Sequence, residues 1–499
     1  MEMQFDRIPI AYLQKIAGQL RSQEQTLELR LPDGMPDIGR VLGAWGQMIV
    51  RSKEWNGDTM AVSCGVMVWV LYTPEEGGGA RSVEAWLPFT VKWELPDSRY
   101  DGKILASCLL KGVDARSTSA RKLMIRANMG AFAEAWVQGQ GQMAVPAALP
   151  EDVELLTAAY PLLLPKEAGE KTFLIEEQMP LPEDKPPVEK LLYYSLQPQI
   201  SDKKVMGDKV VFRGNALLHL LCRAEDGSLF SWDYEIPFSQ YGELEGQYDQ
   251  NPTVTVQPCV TSLDVSADEN GQLTVKAGLL GQFLVCEQTV VTVAEDAYSP
   301  HRQVEPLCEE LYLPGVLDQT EQTIHAEKTA EAETDRLVDV AFYPQMGQME
   351  TAEQETRVPL QGQFQLLYYD PEGELAGLQS LWEGQWSQNA AEDTRTTLWL
   401  SPTGKPEGLP GVGTVEMYGD MTAEAVTLSG RGISMVTGLE LGELQKPGTD
   451  RPSLILCRKG DKRLWDVAKE NGSTVQTILR ANGLDTEPEN DKILLIPVV

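Results

Sequence analysis

The stretch "LPDGMPDIGRVL" occupies residues 31–42, and "LPEDKPPVEKLL" occupies residues 181–192. Eight of the twelve positions are identical or chemically similar: Leu, Pro, an acid, Pro, Ile or Val, Arg or Lys, Val or Leu, and Leu. A third, weaker copy, "DRLVDV", lies at residues 335–340 and has lost the prolines. A duplicated catalytic site would keep its acids rather than its apolar residues. The phrase therefore predicts a repeated structural module.

A repeated glycine supports this interpretation. Gly65, Gly214 and Gly362 each open a run rich in Val, Leu and aromatic residues, which is typical of a β-strand. Each run meets a turn signal, "EEGGG" at 75–79, "EDGS" at 225–228 and "PEGE" at 371–374. Further strands are predicted at "KLMIRA" (122–127), "QLTVKA" (272–277) and "AVTLSG" (425–430), with a hairpin turn at Asn270-Gly271.

The predicted fold class is mainly β: three tandem, antiparallel, β-sandwich-like modules followed by a small C-terminal βααβ domain. The expected domains are residues 1–145 (the first module with an N-terminal arm), 166–300, 315–445 (a divergent third module) and 453–499. Proline, glycine and charge predict linkers at 146–165, 298–314 and 445–452. The polar segment 320–336, "TEQTIHAEKTAEAETDR", is expected to be a solvated arm or linker.

The composition excludes several function classes. The 499 residues are 42% hydrophobic and 7% aromatic, so the chain can form real cores. A formal charge of −32 argues against nucleic acid and anionic membrane surfaces as partners. Residues 453–499 contain seven basic and seven acidic residues, so the first 452 residues carry the whole negative charge. No run of about 18 apolar residues occurs, so membrane insertion is not expected, and the N-terminus does not look like a signal peptide.

Cysteine and histidine offer no metal-ligand spacing. The seven cysteines contain no CxxC pair and predict reduced, mostly buried thiols in a cytoplasmic protein. The three histidines, His219, His301 and His325, lie far apart. "GLPGVG" at 408–413 lacks the Lys-Ser/Thr of a phosphate loop and predicts a turn. We therefore expect no metal, no cofactor, no catalytic residues and no enzymatic activity.

The last 47 residues read as strand, helix, helix, strand. Asn471-Gly472 is a helix stop, Ser473 or Thr474 caps the second helix, and Asn482-Gly483 ends it. This order, with "KGD", "LWDVAKENG", "ILRANGL" and "ILLIP", resembles the LysM domain.

The LysM resemblance implies a shallow groove between two loops that binds N-acetylglucosamine-containing glycans. The corresponding residues here are Gly460, Asp461, Lys462, Arg463, Leu464, Trp465, Asn482, Gly483, Leu484 and Asp485. The first loop is one residue longer than the usual Gly-Asp-Thr-Leu and carries two cations. Lys462 and Arg463 are expected to pair with an acidic protein surface, and Leu464, Trp465 or Leu484 to supply an apolar anchor. The alternative is that the two cations are solvated and the apolar residues, Leu464 above all, belong to the domain core.

The repeated phrase, followed by a Gly-led β-run, resembles the SPOCS domain, most clearly in the first copy, less in the second and least in the third. SPOCS domains followed by one LysM domain resemble the SipL-like spore-coat morphogenetic proteins. The resemblance implies a scaffold in the mother-cell cytoplasm, at the forespore surface, whose LysM domain docks onto a SpoIVA-type basement protein of the coat. The chain itself, through open edge strands, or other coat proteins are further expected partners.

A carbohydrate-binding protein of the cell wall or spore cortex is the alternative. It is supported by the LysM resemblance and by eleven tryptophans. Trp69, Trp86, Trp93 and Trp232 lie in predicted strands, where core packing is the more common role.

Overall fold

The computed structural model describes residues 1–96, 101–180, 185–268, 272–334, 336–352, 354–445, 452–488 and 492–499. Antiparallel strands dominate these residues, as the sequence predicts, and the described part of the chain contains two helices. None of the helices in those ranges is both long and apolar enough to cross a membrane.

The first third of the chain forms two three-stranded sheets. Its strands are β1 (Glu2–Gln4), β2 (Asp6–Pro9), β3 (Leu13–Arg30), β4 (Ile38–Asn56), β5 (Thr59–Pro74), β6 (Arg81–Glu94), β7 (Gly102–Ser119), β8 (Lys122–Gln138) and β9 (Gln142–Val145). The sheets have the orders β3-β8-β7 and β4-β5-β6, and β2 pairs with β9.

The second third of the chain repeats this arrangement with fewer separate strands, because one long strand takes the place of two. Its strands are β10 (Glu154–Pro180), β11 (Val188–Ala224), β12 (Leu229–Tyr248), β13 (Thr253–Ala267) and β14 (Gln272–Tyr298). The sheets are β10-β14-β13 and β11-β12. The long β11 folds back on itself near Gly207, which has a φ of 63°. The carbonyl of Gln199 lies against Gly214, and Ser201 Oγ donates a hydrogen bond to the carbonyl of Arg213. Its two halves therefore correspond to β4 and β5.

The last third repeats it again and also closes the molecule. Its strands are β15 (Val304–Tyr312), β16 (Val316–Glu331), β17 (Arg336–Met346), β18 (Glu350–Ala352), β19 (Glu355–Tyr369), β20 (Leu375–Asn389), β21 (Thr394–Pro410), β22 (Thr414–Ser429) and β23 (Gly432–Leu441). The sheets are β16-β22-β21 and β17-β19-β18, with β20 on the other side of β19. A further sheet, β1-β23-β15, joins the N-terminus to the end of this region. The limits of the predicted domains stay predictions.

The quoted phrase leads into equivalent strands. Its second half enters β4 at Ile38 and β11 at Val188, and the described part of "DRLVDV" begins β17 at Arg336. The turn signals also follow equivalent strands, where Gly77, Gly227 and Gly373 have φ values of 78°, 84° and 82°. The prediction that the phrase is architectural is consistent with these positions. Residues 181–184 and the Asn270-Gly271 turn lie outside the described residues.

The repeated glycines lie inside strands rather than at their starts, and neighbouring atoms occupy the space that a side chain would need. A Cβ at Gly65 would lie 2.2 Å from the Trp86 ring, and a Cβ at Gly362 would lie 2.2 Å from the Phe342 ring. At Gly214 it would meet the carbonyl of Gln199 and the ring of Phe238. These positions require glycine because an aromatic ring packs directly on the backbone.

Several expected linkers are strands. Residues 320–331 of the predicted arm belong to β16, residues 154–165 belong to β10, and residues 304–312 form β15. These linker predictions were wrong because β10, β15 and β16 are edge strands, held by backbone pairing to one neighbour each. The exposed face of β16 is polar, so its sequence resembles that of a solvated segment. "KLMIRA" and "QLTVKA" begin β8 and β14, whereas "AVTLSG" lies near the end of β22. The prediction that these three stretches are equivalent was therefore wrong for the third one, which does not occupy the same position along its strand. The linker at 445–452 lies almost wholly outside the described residues.

Six strands, two from each third of the chain, surround a central axis. Around the axis each strand contacts the next in the order β4, β7, β17, β21, β11, β13 and back to β4. One hydrophobic cluster combines Trp45, Tyr193 and Ala341 from the three regions. Side-chain amides also bond to the backbone of a neighbouring region, Gln47 with Leu196, Gln282 with Ala106 and Gln379 with Val113. The three regions therefore pack around one another and are not strung out.

The cysteines are not all reduced. Cys64 on β5 and Cys108 on β7 form a disulfide, because the two sheets of the first region face each other at these positions. Cys222, Cys259 and Cys286 are buried free thiols, whereas Cys308 is exposed. Burial raises the pKa of the Cys222 thiol to about 12. The expectation of seven reduced cysteines was therefore wrong for one pair.

Candidate partner-binding site in the C-terminal tail

The tail folds in the predicted β-α-α-β order. Its elements are β24 (Leu454–Arg458), α1 (Leu464–Asn471), α2 (Val475–Ala481) and β25 (Ile493–Pro497), and β24 pairs with β25. Gly472 ends α1 in the left-handed conformation, with φ 63°. Thr474 caps α2 by accepting a hydrogen bond from the backbone N–H of Thr477. The predicted helix stop and cap are thus confirmed.

The two predicted groove loops are tied together by one carboxylate. Glu487, just beyond the second loop, accepts a hydrogen bond from the backbone N–H of Leu464 at 2.8 Å. The same oxygen lies 3.2 Å from Nζ of Lys459, which is buried. The backbone donor at the start of α1 is therefore already used within the domain.

The two cations of the first loop are exposed and pair within the tail. Nζ of Lys462 lies 2.7 Å from the Glu470 carboxylate, and Arg463 pairs with Asp466 at 3.2 Å. Glu470 raises the pKa of Lys462 through its hydrogen bond, so this side chain is positively charged at neutral pH. Because ion pairs at an exposed surface stabilise a fold little, the two cations remain available to a partner.

The predicted site residues therefore divide into three groups. Asp461, Lys462, Arg463, Gly483 and Asp485 are exposed, and Gly460 and Leu484 are half-buried. Asn482 is structural, because its side chain accepts from the backbone N–H of Leu495 and donates to the carbonyls of Leu495 and Ile478. Leu464 and Trp465 lie in the core formed by the tail and the end of β14.

Trp465, which was expected to anchor a partner, instead contacts the second region of the same chain. Its Nε1 donates to Oδ2 of Asp296 at 2.8 Å, and its ring packs edge-on against Tyr298 with 4.7 Å between centroids. Lys469 Nζ also contacts Asp296 at 2.8 Å, and the Tyr298 hydroxyl donates to the carbonyl of Ser473. Burial alone would raise the pKa of Asp296, but these hydrogen bonds outweigh it and lower the pKa. Trp465 therefore joins the tail to the second region, and Leu464 is buried in the core of the tail, so neither side chain is exposed to a partner.

An apolar surface that the sequence reading missed lies on the two-stranded sheet of the tail. Leu454, Leu456 and Ile493 are 52%, 71% and 66% exposed, respectively. Leu456 lies opposite Leu495, and Ile493 lies opposite the exposed Arg458. Leu454, Leu456, Arg458, Ile493 and Leu495 therefore share one face of the sheet, which we call the tail face. Ile455 and Cys457 alternate with them and pack against the core. The signal was present in "LILC" and "ILLI", because alternate residues of a two-stranded sheet with a single covered face must be exposed.

The tryptophans of the body pack as expected. Trp69 and Trp93 are buried, and Trp86 and Trp232 pack against the main cluster. Trp86 and Trp232 remain half-buried; the Arg51 guanidinium lies over the Trp86 ring, and the Trp232 ring packs against Tyr234.

Comparison with known families gives one match. Residues 187–268 match the model of the family described as SipL, SPOCS domain. This span covers β11 to β13, the strands that begin with the second copy of the phrase. The sequence reading placed the clearest resemblance in the first copy, whereas the match falls on the second. No curated protein and no solved structure matches the chain.

The match supports a SipL-like chain with a role related to sporulation. It covers the second region and does not extend to the tail. The family is one of sporulation proteins, not one defined by a catalytic activity.

Proposed function

We propose that this protein is a non-enzymatic scaffold of the spore envelope whose tail docks onto a SpoIVA-type basement protein of the coat. The observation that carries the proposal is the exposed tail face of Leu454, Leu456 and Ile493. Isolated apolar side chains are common on surfaces, but a mainly apolar face on a small sheet, bordered here by Arg458, is typical of a protein interface. The SPOCS match supplies the sporulation context.

The chemistry of the tail indicates what kind of surface it recognises. The exposed cations Lys462 and Arg463 lie in the loop that follows β24, the strand that carries Leu454 and Leu456. An apolar patch bordered by acidic residues is the complementary partner surface, because the apolar contact supplies affinity and the charges orient the two proteins. The apolar anchor proposed here is the tail face, since Leu464 and Trp465 belong to the core.

Protein binding is favoured over glycan binding by the state of the groove. Glu487 already accepts the hydrogen bond from the backbone N–H of Leu464 at the start of α1, and the Trp465 ring packs against Tyr298. A glycan would have to compete with these internal contacts. The site of action that follows from this proposal is the mother-cell side of the forespore surface, where a basement layer assembles.

Calorimetric titration of the full chain tests the proposal with two ligands, a SpoIVA-type basement protein and a chitin oligomer. We expect the protein ligand to bind and the oligomer not to bind. Leu456→Asp should weaken protein binding at least tenfold, because it places a charge in the centre of the apolar contact. Charge reversal at Lys462 and Arg463 should also weaken it at least tenfold.

Leu409→Asp is the matched control, because Leu409 is an exposed leucine of β21 in the body of the protein, 53% accessible. This variant should bind as the unsubstituted chain does. Oligomer binding without protein binding would contradict the proposal and favour a wall or cortex protein. Equal losses at Leu456 and Leu409 would remove the tail face from the account.

A further inference from the structure

A pocket of about 210 Å³ lies at the centre of the six-strand ring. Every strand of the ring contributes an apolar side chain to its wall: Met48, Leu110, Leu196, Val260, Val340 and Leu400. The pocket therefore exists only because the three regions pack around one another. Neither the phrase nor the family match indicates it.

One region makes the pocket asymmetric. The strands β7 and β13 each carry a one-residue bulge at equivalent positions, after Leu110 and after Val260. At the equivalent position of β21 the residues 404–406 form a larger bulge opposite Gly419. Gly404 and Pro406 of this bulge line the pocket, and Ser401, on the same strand, is exposed. The enlarged bulge thus borders the side of the pocket that faces solvent.

The charged groups at the pocket are already paired. His219, which lines it, contacts Asp233 through Nδ1 at 2.7 Å and Asp339 through Nε2 at 2.9 Å. Lys405 of the bulge pairs with Asp233 at 2.6 Å. Asp420, also in the wall, pairs with the exposed His325. An incoming ion would lose its hydration and find its natural partners occupied, so the wall favours an uncharged ligand.

Two side-chain nitrogens of pocket-lining residues make no hydrogen bond within the described part of the chain: Nε2 of His219, which has the Asp339 carboxylate 2.9 Å away, and Nε2 of Gln197, which has no charged neighbour of this kind. Gln197 lines the pocket, and its Nε2 is buried with no hydrogen-bond partner among the described residues. Buried amide donors are nearly always paired in folded proteins. A carbonyl oxygen on a bound molecule would satisfy this donor, because a carbonyl accepts without bringing a charge.

We propose that this pocket binds a small uncharged molecule with an apolar ring or chain and one carbonyl group, oriented by Gln197. The size follows from the volume. An apolar cavity of roughly 150 Å³ accommodates benzene, so a pocket of this volume accommodates about eight or nine non-hydrogen atoms. Such a molecule would contact all three regions at once and hold the ring of strands together.

Ligand-observed NMR titration of the full-length protein with benzamide tests the proposal. Benzamide has the required size, ring and carbonyl, and benzoate is its charged counterpart of equal size. We expect saturable binding of benzamide at one site with a Kd below about 5 mM, which is a normal affinity for so few atoms. Benzoate should bind at least tenfold more weakly.

Three variants locate the site. Ser401→Trp places an indole at the open side of the pocket and should weaken benzamide binding at least tenfold, and the exposed position of Ser401 leaves the fold intact. Glu407→Trp is the matched control, since Glu407 is exposed on the same strand outside the pocket and should leave affinity unchanged. Gln197→Leu keeps the apolar wall and should weaken benzamide binding at least fivefold.

Three results would overturn the proposal. They are benzamide binding without saturation, equal affinity of the Ser401 and Glu407 variants, and benzoate binding as tight as that of benzamide. An unchanged affinity in Gln197→Leu would overturn the assignment of the carbonyl to this residue. Loss of binding in the Ser401 and Gln197 variants with retention in the Glu407 variant would establish the site.

Discussion

The buried pair formed by His219 and Asp339 joins the second region of the protein to the third, and the effect of its removal on stability should be measurable. The His219 side chain is 15% exposed and that of Asp339 is 1% exposed. Burial alone would lower the pKa of His219, but the charge of Asp339 and the hydrogen bond with Asp233 outweigh it and raise the pKa to about 10. The imidazole is therefore charged at neutral pH and bridges two carboxylates.

The size of the effect follows from this shift. One pKa unit corresponds to about 1.4 kcal/mol, so a rise from 6.5 to about 10 stabilises the folded protein by about 4 kcal/mol at pH 7. Because the folded-state pKa exceeds the unfolded value, this contribution is complete below pH 6.5. It declines as the pH rises through the range between the two values and is lost above pH 10.

His219→Gln should therefore lower the free energy of unfolding by about 3–5 kcal/mol at pH 7, since it leaves Asp339 buried without a positive partner. Urea denaturation at pH 6, 8 and 10 measures the difference, which should shrink at the highest pH. His325→Gln is the matched control. His325 also pairs with an aspartate but is 77% exposed, so its loss should cost less than about 0.5 kcal/mol.

A direct titration completes the test. The chain has three histidines, so the imidazole signals of the native protein are easily separated by NMR and assigned with the two variants. A native His219 that titrates near pH 6.5, or a His219→Gln variant as stable as the control, would refute the reasoning.

Two further changes have predicted outcomes. Gly362→Ala should lower the free energy of unfolding, measured by urea denaturation, by about 1–3 kcal/mol, because its Cβ would lie 2.2 Å from the Phe342 ring. Gly18→Ala is the control and should leave the stability almost unchanged, because no atom lies nearer than 3.5 Å to its Cβ. Equal losses of stability in the two variants would contradict the packing argument. Asp296→Ala removes the carboxylate that receives the indole N–H of Trp465 and should loosen the tail, seen as faster protease cleavage between body and tail. The hydrogen bonds from Lys469 and Trp465 lower the pKa of Asp296, so its contribution to stability is present at neutral pH and is lost as the carboxylate becomes protonated. The tail of the unsubstituted chain should therefore also loosen as the pH falls below about 4. An unchanged cleavage rate in the variant and at low pH would contradict this role of Asp296.

The strands of each region could be predicted because their signals lie in short, continuous stretches of sequence. The repeated phrase, the turn glycines and the βααβ tail all depend on residues close together in sequence. The packing of the regions was not predictable, because it depends on contacts such as that between Gln282 and Ala106, which are 176 residues apart. The disulfide between Cys64 and Cys108 was hidden for the same reason.

The candidate site was predicted in part. The loop cations lie at the surface as expected. The partners that bury Trp465 could not be foreseen, because Asp296 and Tyr298 belong to another region of the chain. The tail face could have been found from sequence, since its leucines alternate with covered residues. The polar strand β16 was missed because hydrophobic alternation is weak where one face of an edge strand is solvated.

Imaging of a fluorescent fusion of the full chain in sporulating cells tests the central claim most directly. A spore-envelope scaffold that docks through its tail face should form a shell around the forespore, and Leu456→Asp should disperse it through the mother cell while Leu409→Asp leaves the shell unchanged. Dispersed fluorescence of the unsubstituted fusion, or a shell that persists in the Leu456→Asp variant, would contradict the account.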